Sequence, residues 1–368
     1  MISAAETSDD CVEVTIDGVR QAFSWTWLRD HSRDPQSFHE RSNQRLVAPA
    51  EAAGATRAEV RVEPDGSALI VEWPGGPPAA YPVALLTGLA GAARTYDVFA
   101  GAQQRWDADS LRDRLHRPSF AGFVEDDAVV ADSMRAFRRD GVVLVEDVPV
   151  TRDATRSVLE RISYVRASIF GDVWRFGSDG ELDDTASTRL EITPHTDGTY
   201  SRDAPGLVSL HCHVASATGG ESVLVDGLTL HRQLADIDPV ATETLETVQI
   251  PGRYLGDGSD LVAWRPAFRK ESGRLAQVSY NNHDRAPFLL PPDEERRFYG
   301  ALELLEELIA RSGNTVEMRL EEGQMILIDN WRLLHGRRSF TGRREMAGGY
   351  LNRENLESVL RRLDDAEL

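Results

Sequence analysis

Polar and apolar residues alternate over 12–16 (VEVTI) and again over 19–25 (VRQAFSW), with Asp17-Gly18 between the two runs. Period-two alternation on either side of an Asp-Gly pair predicts a β-hairpin. AEVRVEPDGSALIVEWPGG (58–76) repeats the pattern more clearly, with Pro64-Asp65-Gly66 at its centre and Pro-Gly closing its second strand. These hairpins predict a small β-rich N-terminal domain. GLAGAAR (88–94) and FAGAQQRW (99–106) read as a connector, which puts the boundary near residue 110.

Further on, the two periods mix. DGVVLVEDVPV (140–150) carries an apolar run of strand length, and Thr151 is placed to cap a helix over 151–163 with Val158, Leu159 and Ile162 on one face. GLVSLHCHV (206–214) and GGESVLVDG (219–227) predict strands with glycine at their ends. The clearest helix is 293–313, where Phe298, Leu302, Leu305, Leu308 and Ile309 recur at helical spacing. GQMILIDN (323–330) predicts a buried strand that feeds into WRLLHGRRSF. There is no internal repeat and no low-complexity segment. The expected class is mixed α/β, mainly β, with domains over 1–110 and 111–368.

Composition narrows the function. A chain of 368 residues fits about two domains, and 41% hydrophobic with 27% charged residues is a globular balance. The net charge of −19 repels phosphate backbones and anionic lipid, so neither nucleic acid nor a membrane is an expected partner. Cys11 and Cys212 make no disulfide framework and too few thiolates for a cysteine zinc site, which fits a reducing cytoplasm. The start, MISAAETSDD, lacks the apolar core of a signal peptide. No run approaches the roughly 18 apolar residues of a membrane span.

EITPHTDGTY (191–200) holds His195 and Asp197 one residue apart. On extended backbone such residues point to the same side and can offer an imidazole and a carboxylate to one ion. Asp-Gly-Thr equally suits a turn. Two histidines and a carboxylate on one face hold Fe(II) and leave coordination positions open. Of the nine histidines, His211 and His213 alternate along an apolar strand and read as structural. His335 ends a hydrophobic strand and is followed by Gly336 and by Arg337, Arg338, Arg343 and Arg344. An arginine fork there suits the far carboxylate of a chelating keto acid such as 2-oxoglutarate. The alternative is a solvated basic turn.

IDNWRLLHGRRSFTGRREMAGGYLNRENL (328–356), with HTDGTY, TGGESVLVDG and YNNHDRA, resembles the γ-butyrobetaine and trimethyllysine hydroxylase branch of the Fe(II)/2-oxoglutarate dioxygenases, within the taurine dioxygenase-like superfamily. SIFGDVWRFGSDGELDDTASTRLEITPHTD (168–197) and FSWTWLRDHSRDP (23–35) extend the likeness over nearly the whole chain. By matching position, the resemblance implies His195, Asp197 and His335 as iron ligands. It implies Arg344 as the partner of the far carboxylate of 2-oxoglutarate and Ser222 as a hydroxyl that bonds a cosubstrate carboxylate. It further implies a double-stranded β-helix, or jelly roll, for the catalytic domain. The implied reaction uses O2, converts 2-oxoglutarate to succinate and CO2, and hydroxylates an unactivated C–H bond of a small molecule. Members of the branch are often homodimers, which leaves that assembly open.

The sequence departs from the branch in two places. Ser32 and Ser37 stand where its N-terminal domain carries zinc cysteines, and His31, Asp34 and His39 lack thiolate company, so no structural zinc is expected. The aromatic box for a trimethylammonium group is matched by Phe170, Trp174 and Tyr350, but Ser187 replaces a further tyrosine. Asp184 matches the acid of the trimethyllysine enzymes and is a candidate for a substrate amine. Asn281 and Asn282 match an amide pair that can meet a substrate carboxylate. The expected function is thus an Fe(II)/2-oxoglutarate hydroxylase of a γ-butyrobetaine- or trimethyllysine-like substrate. The rivals are a tailoring hydroxylase of a hydrophobic metabolite such as a terpenoid acid and, from another class, a non-catalytic binding or sensing protein.

Overall fold

The computed structural model describes residues 1–87, 97–177, 188–215, 218–256 and 258–365. The chain divides into two units, Met1–Tyr96 and Asp97–Leu368. The division falls upstream of residue 110 because Phe99, Trp106, Ala108 and Leu111 pack into the cores of the second unit. Apolar residues in that supposed connector are anchors.

In the first unit, β1 (Ile2–Thr7), β2 (Cys11–Ile16) and β3 (Val19–Ser24) form one antiparallel sheet in that order. ISAAET has weak strand chemistry, and β1 forms through its ladder with β2. The strand expected through Trp25 stops one residue earlier. Ser24 accepts a hydrogen bond from the Trp27 amide and starts α1 (Trp25–Asp30). The second hairpin appears as β4 (Glu59–Val62) and β5 (Ala68–Glu72), extended by β6 (Pro78–Pro82). Val12, Val14, Trp25, Leu28, Leu69, Val71 and Tyr81 share this unit's core. Asp34 is buried and accepts from the Ser32 hydroxyl at 2.6 Å and from the Gln36 and Ser37 amides. Burial opposes its charge, but the hydrogen bonds from Ser32 and Ser37 outweigh that and hold its pKa below the usual carboxylate value. His31 stacks on Trp27 at 4.2 Å, and His39 Nδ1 lies 2.7 Å from the Ser42 hydroxyl.

The second unit begins its sheet structure after α2 (Asp127–Asp140), which Gly141 ends with a left-handed φ of 78° and a bond to the Phe137 carbonyl. There follow β7 (Val142–Val145), α3 (Arg152–Ile162), β8 (Val165–Arg166), β9 (Val173–Gly177), β10 (Ile192–His195), β11 (Leu207–Ala215) and β12 (Ser222–Asp226). Thr151 caps α3 as the pattern predicts. The chain continues through α4 (Gly227–Ile237), α5 (Pro239–Thr247), the hairpin β13 (Ile250–Gly256) and β14 (Ser259–Arg265), and α6 (Pro292–Ala310). Four strands follow, β15 (Thr315–Met318), β16 (Met325–Asp329), β17 (Leu333–Arg337) and β18 (Arg344–Leu351), and then the helix α7 (Arg353–Asp365).

Two antiparallel sheets organise this unit, in the orders β8-β18-β11-β16-β7, with β9 also on β18, and β10-β17-β12-β15. Val208, Cys212, Ile326, Ile328 and Met346 of the larger sheet share one apolar cluster with Leu224, Val316 and Leu333 of the smaller. The other face of the larger sheet receives Val158, Leu159 and Ile162 of α3, and α4, α5 and α6 cover Val225 and Leu334 of the smaller one. Arg332 enters β17 fully buried and is held by Asp226 at 2.9 and 3.0 Å and by the Arg139 and Gln104 carbonyls. A buried guanidinium is tolerable when paired this completely. No helix among the described residues is long and apolar enough to cross a membrane.

Candidate active site

His195 and His335 sit directly opposite each other on β10 and β17. A bulge between Ile192 and His195 breaks the register, and such irregularities re-aim a side chain. Gly336 lets the two strands approach: a Cβ there would lie 2.5 Å from the Ile192 carbonyl. β10 ends at His195, so strand alternation does not deliver Asp197, contrary to the expectation from its spacing. A clamp does. Asn330 accepts from the Asp197 amide at 2.7 Å and donates to the Asp197 and Pro205 carbonyls at 3.0 and 2.9 Å.

The outcome is one donor set. Ligand atoms of His195, Asp197 and His335 all lie within 4.8 Å of one another. Asp197 Oδ1 is 3.3 Å from His195 Nε2 and 3.6 Å from His335 Nε2. His195 Nδ1 lies 2.9 Å from the Thr193 carbonyl, an acceptor only, so Nδ1 must carry a proton. In the neutral ring the Nε2 lone pair then faces a carboxylate oxygen, and two electron-rich atoms so close call for a cation, a proton or a metal ion, between them. The three residues therefore fit a divalent metal, and imidazole and carboxylate donors suit iron.

With no metal between them, a proton on His195 can take the cation's place beside Asp197. Burial opposes a charged His195, but its hydrogen bond and attraction to Asp197 outweigh this and raise its pKa. Burial likewise opposes the Asp197 charge, and the two histidines together with the Tyr350 hydroxyl hold its pKa far below the usual value. His335 is pushed down to about 4, by burial first and by the neighbouring His195, against the pull of Asp197. A neutral imidazole is the form that ligates a metal.

These residues line a cavity of about 320 Å³. Among the expected site residues, Phe170, Trp174, Ser222, Asn281, Arg344 and Tyr350 line it as well. Trp174 rests on β18 because Gly348 has no Cβ; one there would sit 2.4 Å from the indole ring. Tyr350 does more than supply a ring 5.4 Å from Trp174, since its hydroxyl donates to Asp197 Oδ2 at 2.9 Å. Ser222 is buried on β12, opposite Arg337 of β17. Arg344 is buried at the start of β18, has no carboxylate partner among the described residues, and burial lowers its pKa. Such a guanidinium fits an incoming carboxylate. Asn281 donates to Asp284 at 2.8 Å. Asn282 is not part of the cavity wall: it turns away and accepts from Arg285 at 3.2 and 3.1 Å. Asp184 and Ser187 lie outside the described residues.

Three further residues contribute: Arg337, named in the sequence only as one of an arginine cluster, and two tyrosines given no role there. Arg337 reaches the same cavity, bonds the Thr188 and Leu190 carbonyls at 2.7 and 2.8 Å, and is pushed down to about 10 by burial and by Arg344. Its spacing of two from His335 on a strand was the available signal. Tyr254 of β13 and Tyr200 add rings, with Tyr254 at 5.7 Å from Phe170 and 5.2 Å from Tyr200. Tyr200 closes the HTDGTY motif, whereas nothing in its local sequence marks Tyr254, which the hairpin brings in from more than fifty residues away.

Known proteins give this geometry a context. Mouse mitochondrial trimethyllysine dioxygenase is 31% identical over 96% of this chain and 86% of its own length. The γ-butyrobetaine dioxygenase of Pseudomonas sp. AK-1 is 28% identical over 97% and 94%. The solved structure of an asparagine oxygenase with Fe(II), 3-hydroxyasparagine and succinate overlays with a TM-score of 0.51 at 16% identity, covering 70% of this chain and 88% of that one, a likeness of fold. Residues 118–350 match the family described as taurine catabolism dioxygenase TauD, TfdA family. The chain belongs to that family and is an iron- and 2-oxoglutarate-dependent dioxygenase.

Proposed function

We propose that this enzyme hydroxylates an unactivated C–H bond of a small carboxylated molecule bearing a quaternary ammonium group, of the trimethyllysine or γ-butyrobetaine type. The observation that carries the reading is the make-up of one cavity. A His-Asp-His donor set, a buried arginine without a carboxylate partner among the described residues, and a wall of Phe170, Trp174, Tyr200, Tyr254 and Tyr350 share about 320 Å³. Aromatic faces attract a trimethylammonium group that cannot hydrogen-bond. The relatives named for trimethyllysine and γ-butyrobetaine support the same class. Tyr200 and Tyr254 offset the tyrosine that Ser187 replaces.

In this reading His195, Asp197 and His335 hold the iron, which supplies the oxidising power while 2-oxoglutarate leaves as succinate and CO2. Arg344 takes the far carboxylate of 2-oxoglutarate in its fork, with Ser222 and Arg337 beside it. Tyr350 bonds one oxygen of Asp197 and so leaves the other toward the two histidines. Asn330 fixes the backbone that carries Asp197. The ring wall excludes water and sets the substrate against the donor set. The two sheets sharing one apolar layer support reading the second unit as a double-stranded β-helix. Cys11 and Cys212 are both free thiols, which suits a reducing compartment such as the cytoplasm.

The test is succinate release from the purified chain with Fe(II), 2-oxoglutarate and O2, comparing trimethyllysine, γ-butyrobetaine and a panel of hydrophobic carboxylic acids. Stimulation by a trimethylammonium compound is expected. Stimulation by the hydrophobic acids alone contradicts the proposed substrate class.

A further inference from the structure

Away from the catalytic cavity, a groove of about 750 Å³ is lined by Arg202, Arg265, Arg269 and Lys270, with Trp264 on its wall. Glu246 is the only acid on that wall among the described residues, and it is already shared between His231 Nε2 at 2.7 Å and Lys270 Nζ at 3.2 Å. A net charge of −19 makes four converging cations a local feature with its own cause.

Arg265 is the telling residue. It is 9% exposed, and among the described residues its one hydrogen bond goes to the Ser201 carbonyl. A guanidinium carries five N–H donors, so most of this one's have no partner among the described residues and are open to the groove that Arg265 lines. Burial and the charge of Arg269 push it down to about 10; Asp203 opposes that shift but is itself held by Arg166 at 3.0 Å. Arg269 lies 4.8 Å over the Trp331 ring and gives one arm to Glu271 at 3.0 Å, yet its Nε is buried without an acceptor. Arg202 is exposed with no partner among the described residues. A buried cation is costly unless it is paired and hydrogen-bonded, and two adjacent arginine forks match the geometry of oxyanions.

We propose that this groove binds a small multivalent anion of phosphate or polycarboxylate type, gripped by Arg265 and Arg269 and flanked by Arg202 and Lys270. The space exceeds a bare oxyanion, and Trp264, 55% exposed, offers an apolar plate for the body of an organic anion. The site is separate from the arginines of the cavity and does not depend on the substrate proposed above. The two places do share a stretch of backbone: Arg265 holds the Ser201 carbonyl, and Tyr200 lines the cavity.

The experiment is calorimetric titration of the full chain at low ionic strength with pyrophosphate and with citrate. Arg344→Gln disables anion binding in the cavity, Arg202→Glu and Arg269→Gln alter the groove, and Arg41→Glu is an exposed control in the first unit. Saturable binding should persist in R344Q and R41E. It should weaken about tenfold or more in R202E and in R269Q, the loss expected for one charged hydrogen bond. The tighter of the two anions identifies the ligand class. No saturable binding overturns the proposal. So does binding that R344Q abolishes and the groove variants leave unchanged, since the anion then sits in the cavity.

Discussion

Among the described residues of the second unit, two histidine pairs lie at nearly equal closeness. His195 and His335 have ring centroids 4.6 Å apart, and His211 and His213, two residues apart on β11, have theirs 4.4 Å apart. Their third partners differ in sign. Asp197 lies between the first pair, whereas Arg175 donates to His213 Nδ1 at 3.2 Å. Because arginine can only donate, His213 must present a lone pair there and donate through Nε2 to His211 Nδ1, 3.1 Å away. Both imidazoles of the second pair are thereby neutral. A carboxylate beside two imidazoles invites a cation; a guanidinium in the same role repels one. Burial alone does not make a metal site, since burial pushes His211 down to about 4 just as it does His335.

The largest expected effect follows from that contrast. His195→Ala should lower 2-oxoglutarate-dependent succinate release by more than roughly 100-fold, beyond the range for residues outside the coordination shell. His211→Gln should leave the release per folded molecule within about twofold. Arg344→Gln comes next. Losing a charged fork costs about 3 kcal/mol, so the KM for 2-oxoglutarate should rise roughly 100-fold in steady-state assays. A smaller effect is expected of Tyr350→Phe, which keeps the ring beside Trp174 and removes only the bond to Asp197. Fe(II) affinity measured by titration should fall about tenfold, the lower end for an outer-shell partner.

The smallest effect sharpens the comparison from the side of the second pair. The folded-state pKa of His211 is depressed to about 4, by burial and then by His213, from an unfolded value near 6.5. The unfolded state therefore binds more protons below about pH 6.5, and stability is lost as pH falls toward 4. Between pH 7.5 and 5.5 this group should remove about 1 kcal/mol. Denaturant titrations at the two pH values should show a flatter loss in His211→Gln, whatever its absolute stability. An unchanged slope would count against the buried neutral assignment.

Much of this site is legible in the sequence because its chemistry is compact in sequence. His195 and Asp197 are neighbours, and Ser222, His335, Arg344 and Tyr350 each sit at a recognisable place on a strand. What stays hidden depends on tertiary structure. The register that sets His195 against His335 joins strands 140 residues apart, and the clamp that turns Asp197 inward comes from Asn330, an unremarkable amide in a strand-end turn. Tyr254 meets Phe170 and Tyr200 because the β13–β14 hairpin carries it to the cavity, and no local period encodes that. Asn282 shows the converse: adjacent to Asn281 in sequence, it faces Arg285. In the fold, helices and hairpins with strong periods formed where expected, whereas β1 exists only through pairing, and the unit boundary moved because scattered apolar residues after residue 97 dock into a core.

The most direct test of the account is anaerobic Fe(II) titration of the purified chain in the presence of 2-oxoglutarate, comparing the parent with Asp197→Ala and His211→Gln. The account predicts one iron per chain in the parent, one in His211→Gln, and none at stoichiometric concentrations in Asp197→Ala. Retention of iron by Asp197→Ala together with its loss from His211→Gln would place the metal at the other histidine pair and contradict the assignment.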